Sequence, residues 1–598
     1  MIAGIRFLRA WLRTFAGRCI SIGLVLAIMA SACLGKLTYI QLLNGRDTAL
    51  AATQGRTWKV AINAKRGRIL DANGTVLAQS VERYNVIGVP QAASGFKPIT
   101  CTQETKSRCH QIDGKPVGAT GAAAVARLVS SVLGTDPLEL GAKLNGTGQY
   151  LIIKKDVTPE VMRKLEALHL GGIIYGELTN ERVYSGGTLL GPVLGGMTDA
   201  GVGASGLEAT LNKTLDGTDG YEVYQRGLGG EEIPGTLTES KDAVNGSDVK
   251  LTIDSSVDWY VKNALLEGKK TYNAAWAIAV VLDLRTGRII ALEDTDQYKA
   301  GTQDAMLHTS RAVSEVFEPG SIGKVFTMSA QLQLGLNKIT DRFSVPDHIT
   351  ASGQNFSDSF DHGTERWTLA GILQNSSNVG MIMSSQKLTN QQRYEWLTKF
   401  GIGQMTGLNL PGESAGILTN PASWDLRTQN TVLFGQGYAT NALQLTNAVA
   451  TIGNKGVKPQ MSIIDSITDA KGHVTETKTT GSQRVVDEKV ASQMLDAMES
   501  VAEHYSFVKV PGYRVAAKTG TAQVAGPDGQ LTSIISDWSG IIPADNPRFV
   551  VTVVMKDPQG TYGGLTAGPV FAKIGEFLMQ KYEVPASQPR RNAIPVEW

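Results

Sequence analysis

Three short clusters of polar residues in the second half of the chain constrain its fold and chemistry more than any other feature. In chain order they are Ser321-Ile322-Gly323-Lys324, Ser376-Ser377-Asn378 and Lys518-Thr519-Gly520-Thr521. A serine hydroxyl is a weak nucleophile at neutral pH and needs a neighbouring base. Ser321 and Lys324 are spaced i, i+3, so a helix would place both side chains on one face. The spacing therefore predicts a serine acyl-transfer site with a lysine as its base.

The residues around Ser321 favour such a helix. Pro319 and Gly320 come directly before it, and proline is tolerated at or before a first helical turn. Ser321 would then lie near the positive end of the helix dipole, which favours a developing alkoxide. Lys324 must lose its proton to act as a base, and we expect burial and the nearby cation of Lys518 to lower its pKa.

Each cluster alone has an ordinary structural explanation. A lone S-x-x-K is typical of a solvated helix face, Ser376-Ser377-Asn378 of a loop or helix cap, and a lone K-T-G of a turn. Their order and flanking residues change this interpretation. Together they resemble the S-x-x-K, S-x-N, K-T-G signature of penicillin-binding proteins and class A β-lactamases. The resemblance implies an α/β (α+β) fold of the serine β-lactamase type, a mostly antiparallel sheet with helices on both faces.

Further segments of the second half are similar to this family. Residues 277–293 predict a hairpin with a turn at residues 283–287. Residues 536–543 and 549–555 resemble the two strands that follow the K-T-G strand, and residues 571–582 a closing helix. The resemblance therefore covers the whole of the predicted catalytic domain.

The first half of the chain indicates the branch of the family. Residues 66–80 read RGRILDANGTVLAQS, similar to the R-G-x-I-x-D-x-x-G-x-x-L-A box of class B high-molecular-weight penicillin-binding proteins. Gly206-Leu207-Glu208 resembles a second box of that class, and Arg182 is placed at the same junction. We expect these boxes to be structural turns and packing glycines. No E-D-x-x-F stretch resembles the glycosyltransferase domain of class A relatives, which argues against polymerase activity.

The resemblance also implies roles for individual residues. Ser321 would be the acylated nucleophile, and Ser376 would relay a proton to the leaving group. Asn378 would orient the donor amide. The side chains that would hold the donor carboxylate are Lys518, Thr519 and Thr521, with Gly520 between them on the substrate-binding strand. The backbone N–H groups of Ser321 and Thr521 would form the oxyanion hole.

One N-terminal segment is not globular. Residues 19–35 contain no charge, and after Lys36 the apolar character continues through Leu43. This length suits a membrane span if Lys36 reaches the interface. The residues before it carry four arginines and no acid, which predicts a cytoplasmic N-terminus by the positive-inside rule. These arginines are Arg6, Arg9, Arg13 and Arg18.

Alternatives stay open for the N-terminal apolar segment and for one pair of cysteines. A cleaved signal competes with a permanent anchor, because residues 30–32 fit an A-x-A site and Cys33 could be a poor lipobox cysteine. Cys101 and Cys109 bracket a polar loop on the predicted outer side, where a disulfide could persist; we favour the disulfide, and two free surface thiols are the alternative.

Composition excludes several other functions. The formal net charge is +2, so nothing suggests a nucleic-acid partner. The seven histidines show no metal-ligand spacing, and no phosphate-binding loop is present. No metal or organic cofactor is implied.

The predicted organisation has five parts. They are a cytoplasmic arm (1–18), a transmembrane anchor (19–43), an elongated pedestal or dimerisation domain (44–248), a transpeptidase domain (249–585) and a disordered tail (586–598). The disorder is predicted from the proline and arginine content of the tail.

The resemblance implies a D,D-transpeptidase that cross-links D-Ala-D-Ala stem peptides outside the cell and is acylated by β-lactams. We favour a septal division enzyme of the penicillin-binding protein 3 type, with a polytopic glycan polymerase and other division proteins as partners. An elongation-type class B transpeptidase is the main alternative. A carboxypeptidase or β-lactamase, and a non-catalytic divisome scaffold, also remain open.

Overall fold

The computed structural model describes residues 14–43, 56–227, 232–477, 481–524, 533–560 and 562–598, together with Trp11, Arg46 and Thr53. These residues form two compact units. The first draws on residues 1–64, 82–180 and 218–244, and the second on 65–81, 181–217 and 245–598. Arg6, Arg9 and Arg13, on which the predicted orientation in the membrane depends, lie outside the described residues.

The first unit begins with an apolar helix, Phe15–Thr38, which continues as a π-helix, Tyr39–Leu43. Thr14 caps it by accepting a hydrogen bond at Oγ1 from the Gly17 backbone N–H at 3.0 Å, which satisfies one of the free donors of the first turn. Among the described residues this is the one helix long and apolar enough to cross a membrane. Its length and composition indicate membrane anchoring.

The rest of the first unit is a small mixed domain. Its helices are Pro90–Ser94, Gly121–Leu133, Pro137–Leu144 and Pro159–Glu166. Its strands are Thr57–Ile62, Gln111–Ile112, Lys115–Pro116, Leu151–Val157, Gly220–Gln225 and Glu239–Lys241. Helix Gly121–Leu133 buries Val125, Leu128 and Val129 in the core of this domain. A disulfide joins Cys101 to Cys109 and closes a local loop.

Two long strands, Val76–Gly88 and Ile174–Tyr184, contribute residues to both units. In the second unit, Ile69 and Leu70 pair in parallel with Val249 and Lys250. Residues 65–81 and 181–217, which lie inside the predicted pedestal range, therefore belong by their contacts to the same unit as the catalytic clusters. Gly67 is required at its position because a Cβ there would lie 1.9 Å from the Ser247 carbonyl oxygen.

The centre of the second unit is a five-stranded antiparallel sheet. Its strands are β1 (Trp276–Asp283), β2 (Arg288–Asp294), β3 (Ala516–Val524), β4 (Ser533–Ile542) and β5 (Phe549–Lys556). The order in space is β2-β1-β5-β4-β3. The predicted hairpin and the two strands after the K-T-G strand are thus confirmed, and β3 forms one edge of the sheet.

Helices cover both faces of this sheet, as the resemblance implied. The helices that pack directly on its strands are α1 (Ser255–Thr271), α4 (Ala442–Gly453), α5 (Glu488–His504) and α6 (Ala567–Lys581). The same unit contains α2 (Gly323–Gln333) and α3 (Asn378–Ser384). Successive residues of β1 point to opposite faces. Ala279 and Val281 therefore pack against the α1 and α6 side, whereas Ile278 and Val280 join the larger core on the other side.

Shorter elements complete the second unit. Its short helices are Gly191–Leu194, Gly206–Thr210, Asn212–Leu215, Gln303–Leu307, Arg311–Ser314, Gly320–Ile322, Leu369–Gln374, Asn390–Lys399, Pro421–Ser423, Thr428–Thr431 and Val432–Phe434. Its short strands are Ile69–Leu70, Gly196–Met197, Gly203–Ser205, Asp248–Leu251, Arg342–Val345, His348–Ala351, Gln354–Ser357, Glu365–Thr368, Val457–Lys458, Ile464–Thr468, Val474–Glu476 and Gln483–Arg484.

The prediction that residues 586–598 are disordered is wrong. Arg590 is almost fully buried and forms ion pairs with three acidic side chains of α5, those of Asp496, Glu499 and Glu503. Further along, the Val596 carbonyl oxygen accepts a hydrogen bond from the Thr368 backbone N–H at 3.0 Å. Proline and arginine content suggested disorder, but the arginine finds carboxylates that only the folded chain brings together.

Candidate active site

The fold brings the three sequence clusters to one place in the second unit. Ser321 lies in the 3₁₀ turn Gly320–Ile322, which leads directly into α2. Ser376 lies just before α3, and Lys518 lies on the edge strand β3. Hydrogen bonds from the two lysines connect all three clusters. The residues predicted to carry the chemistry therefore share one site.

The turn before α2 requires a glycine at position 320, because of its backbone conformation and its close contact with β3. Gly320 has φ +48°, a left-handed conformation that glycine adopts without strain. A Cβ at this position would also lie 2.7 to 2.9 Å from the backbone of Thr521. The start of α2 can therefore approach β3 closely, which places Ser321 beside the K-T-G strand.

Lys324 is the centre of the hydrogen-bond network. Its Nζ lies 2.8 Å from Ser321 Oγ and 2.8 Å from Asn378 Oδ1. It also lies 2.7 Å from the Ser376 carbonyl oxygen and 3.3 Å from Ser376 Oγ. Lys324 thus contacts the nucleophile Ser321 and, in the second cluster, the side chains of Ser376 and Asn378.

The environment of Lys324 suits a base. The side chain is fully buried, and burial lowers its pKa well below the usual range. The positive charge of Lys518 lowers the pKa further, whereas Asp358 raises it. A lysine whose pKa is lowered in this way loses its proton more readily, and the neutral amine can accept the hydroxyl proton of Ser321.

Lys518 is the second buried cation. Its Nζ donates to Ser376 Oγ at 3.0 Å, and to Thr519 O and Thr519 Oγ1 at 3.1 Å each. Burial lowers its pKa to about 7, while the charge of Asp537 acts in the opposite direction. Ser376 Oγ therefore lies between two amines, a suitable position for passing a proton.

Backbone geometry at the second cluster explains its three residue types. Ser376 has φ +55°, and Ser377 caps α3 by accepting a hydrogen bond from the Gly380 backbone N–H at 2.8 Å. Ser377 is buried and points away from the lysines, so its role is structural. Asn378 is the first residue of α3, and its side chain reaches Lys324.

The carboxylate that fixes this cluster was not predicted from the sequence. Asp358 accepts hydrogen bonds from Ser377 Oγ at 2.6 Å, the Asn378 backbone N–H at 2.5 Å and the Val379 backbone N–H at 2.9 Å. Its other neighbour is His362 Nε2 at 3.0 Å. A carboxylate at a helix N-terminus is favourable. No local pattern in the sequence links residue 358 to residue 378, so only the fold reveals this contact.

The K-T-G residues line an open groove. Thr521 Oγ1 donates to the Gly520 carbonyl oxygen at 2.9 Å and lies 3.3 Å from the Gly563 backbone N–H. Thr519 and Thr521 face a groove of about 870 Å³ that also contains Ser321. Its aromatic lining consists of Phe360, Phe434, Tyr505, Phe507 and Tyr562. The groove can hold a peptide-sized ligand against the serine.

Two further carboxylates, the half-buried Glu318 and the fully buried Asp537, were given no role from the sequence. Glu318 accepts a hydrogen bond from the Gly437 backbone N–H at 2.8 Å, and burial raises its pKa. Asp537 on β4 is fully buried, and burial raises its pKa well above the usual range although Lys518 opposes this. Neither residue belongs to a recognised sequence pattern.

Comparison with known families agrees with this geometry. The penicillin binding protein transpeptidase domain matches residues 277–576. The penicillin-binding protein dimerisation domain matches residues 61–251. The chain belongs to the class B penicillin-binding proteins. The family resemblance drawn from the three clusters and the RGRILD box is thus confirmed.

Similar proteins cover nearly the whole of this penicillin-binding protein. A peptidoglycan synthetase structure from Bifidobacterium adolescentis is 64% identical, covers 91% of this chain and all of that one, and has a TM-score of 0.74. Penicillin-binding protein PbpB of Mycobacterium tuberculosis is 32% identical over 88% of this chain and 79% of its own length. Peptidoglycan D,D-transpeptidase FtsI of Escherichia coli is 28% identical over 94% of this chain and 90% of its own length.

Proposed function

We propose that this protein is a peptidoglycan D,D-transpeptidase that cross-links stem peptides through an acyl-enzyme on Ser321. The observation that carries the proposal is the contact of 2.8 Å between Lys324 Nζ and Ser321 Oγ, in a site where burial and Lys518 lower the pKa of the base. The E. coli relative, which matches over most of both chains and is named as a peptidoglycan D,D-transpeptidase, supports the same reaction.

The first half of the reaction forms the ester. Ser321 Oγ attacks the carbonyl carbon of the penultimate D-Ala of the donor, and its proton passes to Lys324 Nζ. The backbone N–H groups of Ser321 and Thr521 would donate to the oxyanion, a role supported by the close approach of Gly320 to Thr521. When the C–N bond breaks, the departing D-Ala nitrogen takes a proton through Ser376 Oγ, which lies between Lys324 and Lys518.

Substrate contacts would come from the edge strand and the second cluster. The ammonium of Lys518 and the hydroxyls of Thr519 and Thr521 would bind the terminal carboxylate of the donor. Asn378 would orient the donor amide. Among the described residues its Nδ2 donates only to the Ser357 carbonyl oxygen, at 3.2 Å, while Oδ1 faces Lys324. Gly520 would lie between the two threonines on the substrate-binding strand.

The second half of the reaction transfers the acyl group. An amine of a neighbouring stem peptide attacks the ester carbonyl and gives its proton to Lys324. As the ester C–O bond breaks, Lys324 passes this proton to Ser321 Oγ, which restores the hydroxyl and the neutral amine. A β-lactam would acylate the same serine, because its ring carbonyl takes the place of the donor carbonyl. Hydrolysis of the acyl-enzyme by water would instead give a carboxypeptidase or β-lactamase.

Covalent labelling tests this proposal. A fluorescent penicillin should label the wild-type protein at Ser321, and mass spectrometry of the labelled peptide identifies the residue. A folded Ser321→Ala variant should not be labelled, whereas Ser377→Ala removes a buried serine of the second cluster, keeps Ser321 and should still be labelled. Label retained by the Ser321→Ala variant would contradict the assignment. Unlabelled wild-type protein would favour a non-catalytic scaffold.

Products distinguish cross-linking from hydrolysis. Purified protein given lipid-linked disaccharide pentapeptide and a glycan polymerase should form dimeric muropeptides and release D-Ala. Release of D-Ala without dimers would identify a carboxypeptidase. The long N-terminal half, which matches the dimerisation domain over residues 61–251, supports a cross-linking enzyme.

We further propose that the enzyme acts at the septum, held by the helix Phe15–Thr38 with its N-terminus in the cytoplasm and the catalytic domain outside the cell. Residues 44–248 would act as the pedestal and, with the anchor, would bind a polytopic glycan polymerase and other division proteins. Depletion in the source cell should give filaments or chains with blocked septa. Rounded cells that complete their septa would indicate elongation. Release of the protein from membranes by high salt or alkaline carbonate would contradict a permanent anchor.

A further inference from the structure

A buried carboxylate lies directly beneath the substrate-binding strand. Asp537 on β4 is the cross-strand partner of Gly520 on β3. Because side chains alternate along a strand, Asp537 lies on the same face of the sheet as Lys518. Its Oδ1 occupies the space that a Gly520 side chain would fill, since a Cβ at Gly520 would lie 1.8 Å from that atom.

In the part of the chain that the structure describes, Asp537 has no hydrogen-bond partner on another residue that would explain it as a structural residue. It is fully buried, and apart from its own backbone N–H no described residue donates a hydrogen bond to Oδ1 or Oδ2. Buried carboxylates that serve structure normally accept several hydrogen bonds or form an ion pair. Asp258 and Asp358 in the same unit accept backbone hydrogen bonds, whereas Asp537 does not.

The cation that Asp537 faces belongs to the active site. Lys518 is also fully buried and directs its three hydrogen bonds to Ser376 and Thr519. The carboxylate therefore acts on the ammonium through its electrostatic field, in a region where both groups are shielded from water. The other titratable groups around the pair are Lys324, Glu318, Asp358, Tyr438 and Tyr505.

We propose that Asp537 is a positioning residue for acyl transfer, whose buried carboxylate holds Lys518 in its ammonium form beneath the groove. The inference rests on the proposed function, because the ammonium matters only if the groove binds a carboxylate beside Ser321. A charged Lys518 would bind that carboxylate and would also keep Lys324 neutral by repulsion. Gly520 is then needed in this chain because the Asp537 carboxylate occupies the space beside it.

The direction of the pH dependence follows from these roles. Acylation needs neutral Lys324 and protonated Lys518, so the rate rises as pH passes the lowered pKa of Lys324 and falls as pH passes the pKa of Lys518, about 7. Burial raises the pKa of Asp537 and the charge of Lys518 lowers it, so Asp537 opposes the effect of burial on the pKa of Lys518 at the pH values where it is ionised. Removing its charge should therefore move the falling limb to lower pH and, by weakening the repulsion, move the rising limb to higher pH.

The test is the second-order rate of acylation of the full chain by benzylpenicillin across a range of pH. In Asp537→Asn the falling limb of the pH–rate profile should shift to lower pH by about one unit. The acylation rate should therefore fall roughly tenfold above neutral pH and less below it. Asp258→Asn is the matched control, because Asp258 is equally buried in α1 but contacts the Leu292 backbone. The pH–rate profile of Asp258→Asn should rise and fall at the same pH values as that of the wild type.

A second pair of variants separates charge from packing. An arginine cannot lose its proton at these pH values, so Lys518→Arg should lack the falling limb, and adding Asp537→Asn to it should then shift nothing. If the asparagine does not fold, Asp537→Ser serves the same purpose with a smaller polar side chain. A uniform loss of rate with unmoved limbs would overturn the inference and leave a packing role. Failure of wild-type Ser321 to be acylated at any pH would instead overturn the proposed function.

Discussion

The second unit contains two buried clusters of charge that are organised in opposite ways. The first, here called the junction cluster, consists of Arg66, Arg182 and Glu208. In it the Glu208 carboxylate lies between two guanidinium groups. Arg66 Nε lies 2.7 Å from Glu208 Oε2, and Arg182 Nε lies 2.8 Å from Glu208 Oε1. At the active site, Lys324 and Lys518 are equally buried, but their hydrogen-bond partners are hydroxyl, amide and carbonyl oxygens.

The difference separates structural from functional use of buried charge. A buried ion pair is costly to break, because removal of one partner leaves an unpaired charge away from water. Two like charges without direct carboxylate partners destabilise each other and shift their pKa values, which is typical of catalytic sites. The junction cluster should therefore matter for stability, and the lysine cluster for rate.

The largest expected effect is on rate, at Lys324. Lys324→Met keeps a similar volume and removes the base, so acylation by penicillin should fall by roughly a thousandfold or more. The protein should be as stable as the wild type or more stable, because a buried amine is replaced by an apolar group. Stopped-flow acylation and a thermal melt measure the two quantities. The exposed Lys338→Met is the control and should change neither. A large loss of stability with an intact rate would contradict the division of roles.

The second effect is on stability, at Glu208. Glu208→Gln removes the charge between two buried guanidinium groups and should cost about 3 kcal/mol or more. The acylation rate of the folded fraction should stay within about twofold of the wild type, because the change does not touch the groove. Glu139→Gln is the matched control, since Glu139 pairs with Lys143 at the surface and such pairs contribute about 0.5 kcal/mol or less. Chemical denaturation and active-site titration measure both. Equal losses for the two variants would contradict a structural role for the junction.

The two clusters also differ in how much the sequence could predict. The lysine site follows from short-range spacing, because Ser321 and Lys324 are three residues apart and the K-T-G residues are contiguous. The apolar runs on either side of the turn at residues 283–287 likewise predicted the hairpin of β1 and β2. Asp358 and Asp537 could not be found this way, since their partners are distant in sequence and depend on strand register. Nor could the sequence predict that Ile69 pairs with Val249.

The tail shows the same limit and gives the smallest expected effect. Sequence composition predicted disorder, but Arg590 reaches three carboxylates of α5, and its Nη2 also lies 2.7 Å from the Asp496 carbonyl oxygen. These contacts differ from the junction in one respect, because Glu503 is largely exposed and water can replace part of what is lost.

Arg590→Ala should therefore destabilise the second unit by about 1 to 2 kcal/mol, less than Glu208→Gln. The exposed neighbour Arg591→Ala provides the control and should have almost no effect. α5 leads through His504 to Tyr505 in the groove, so the tail holds a helix that supports the aromatic lining. A thermal melt together with the acylation rate of the folded protein separates the two consequences. If Arg590→Ala and Arg591→Ala melt at the same temperature, the ion pairs of Arg590 contribute nothing to stability. The stabilising role of buried charge would then be limited to clusters shielded from water, such as the one around Glu208.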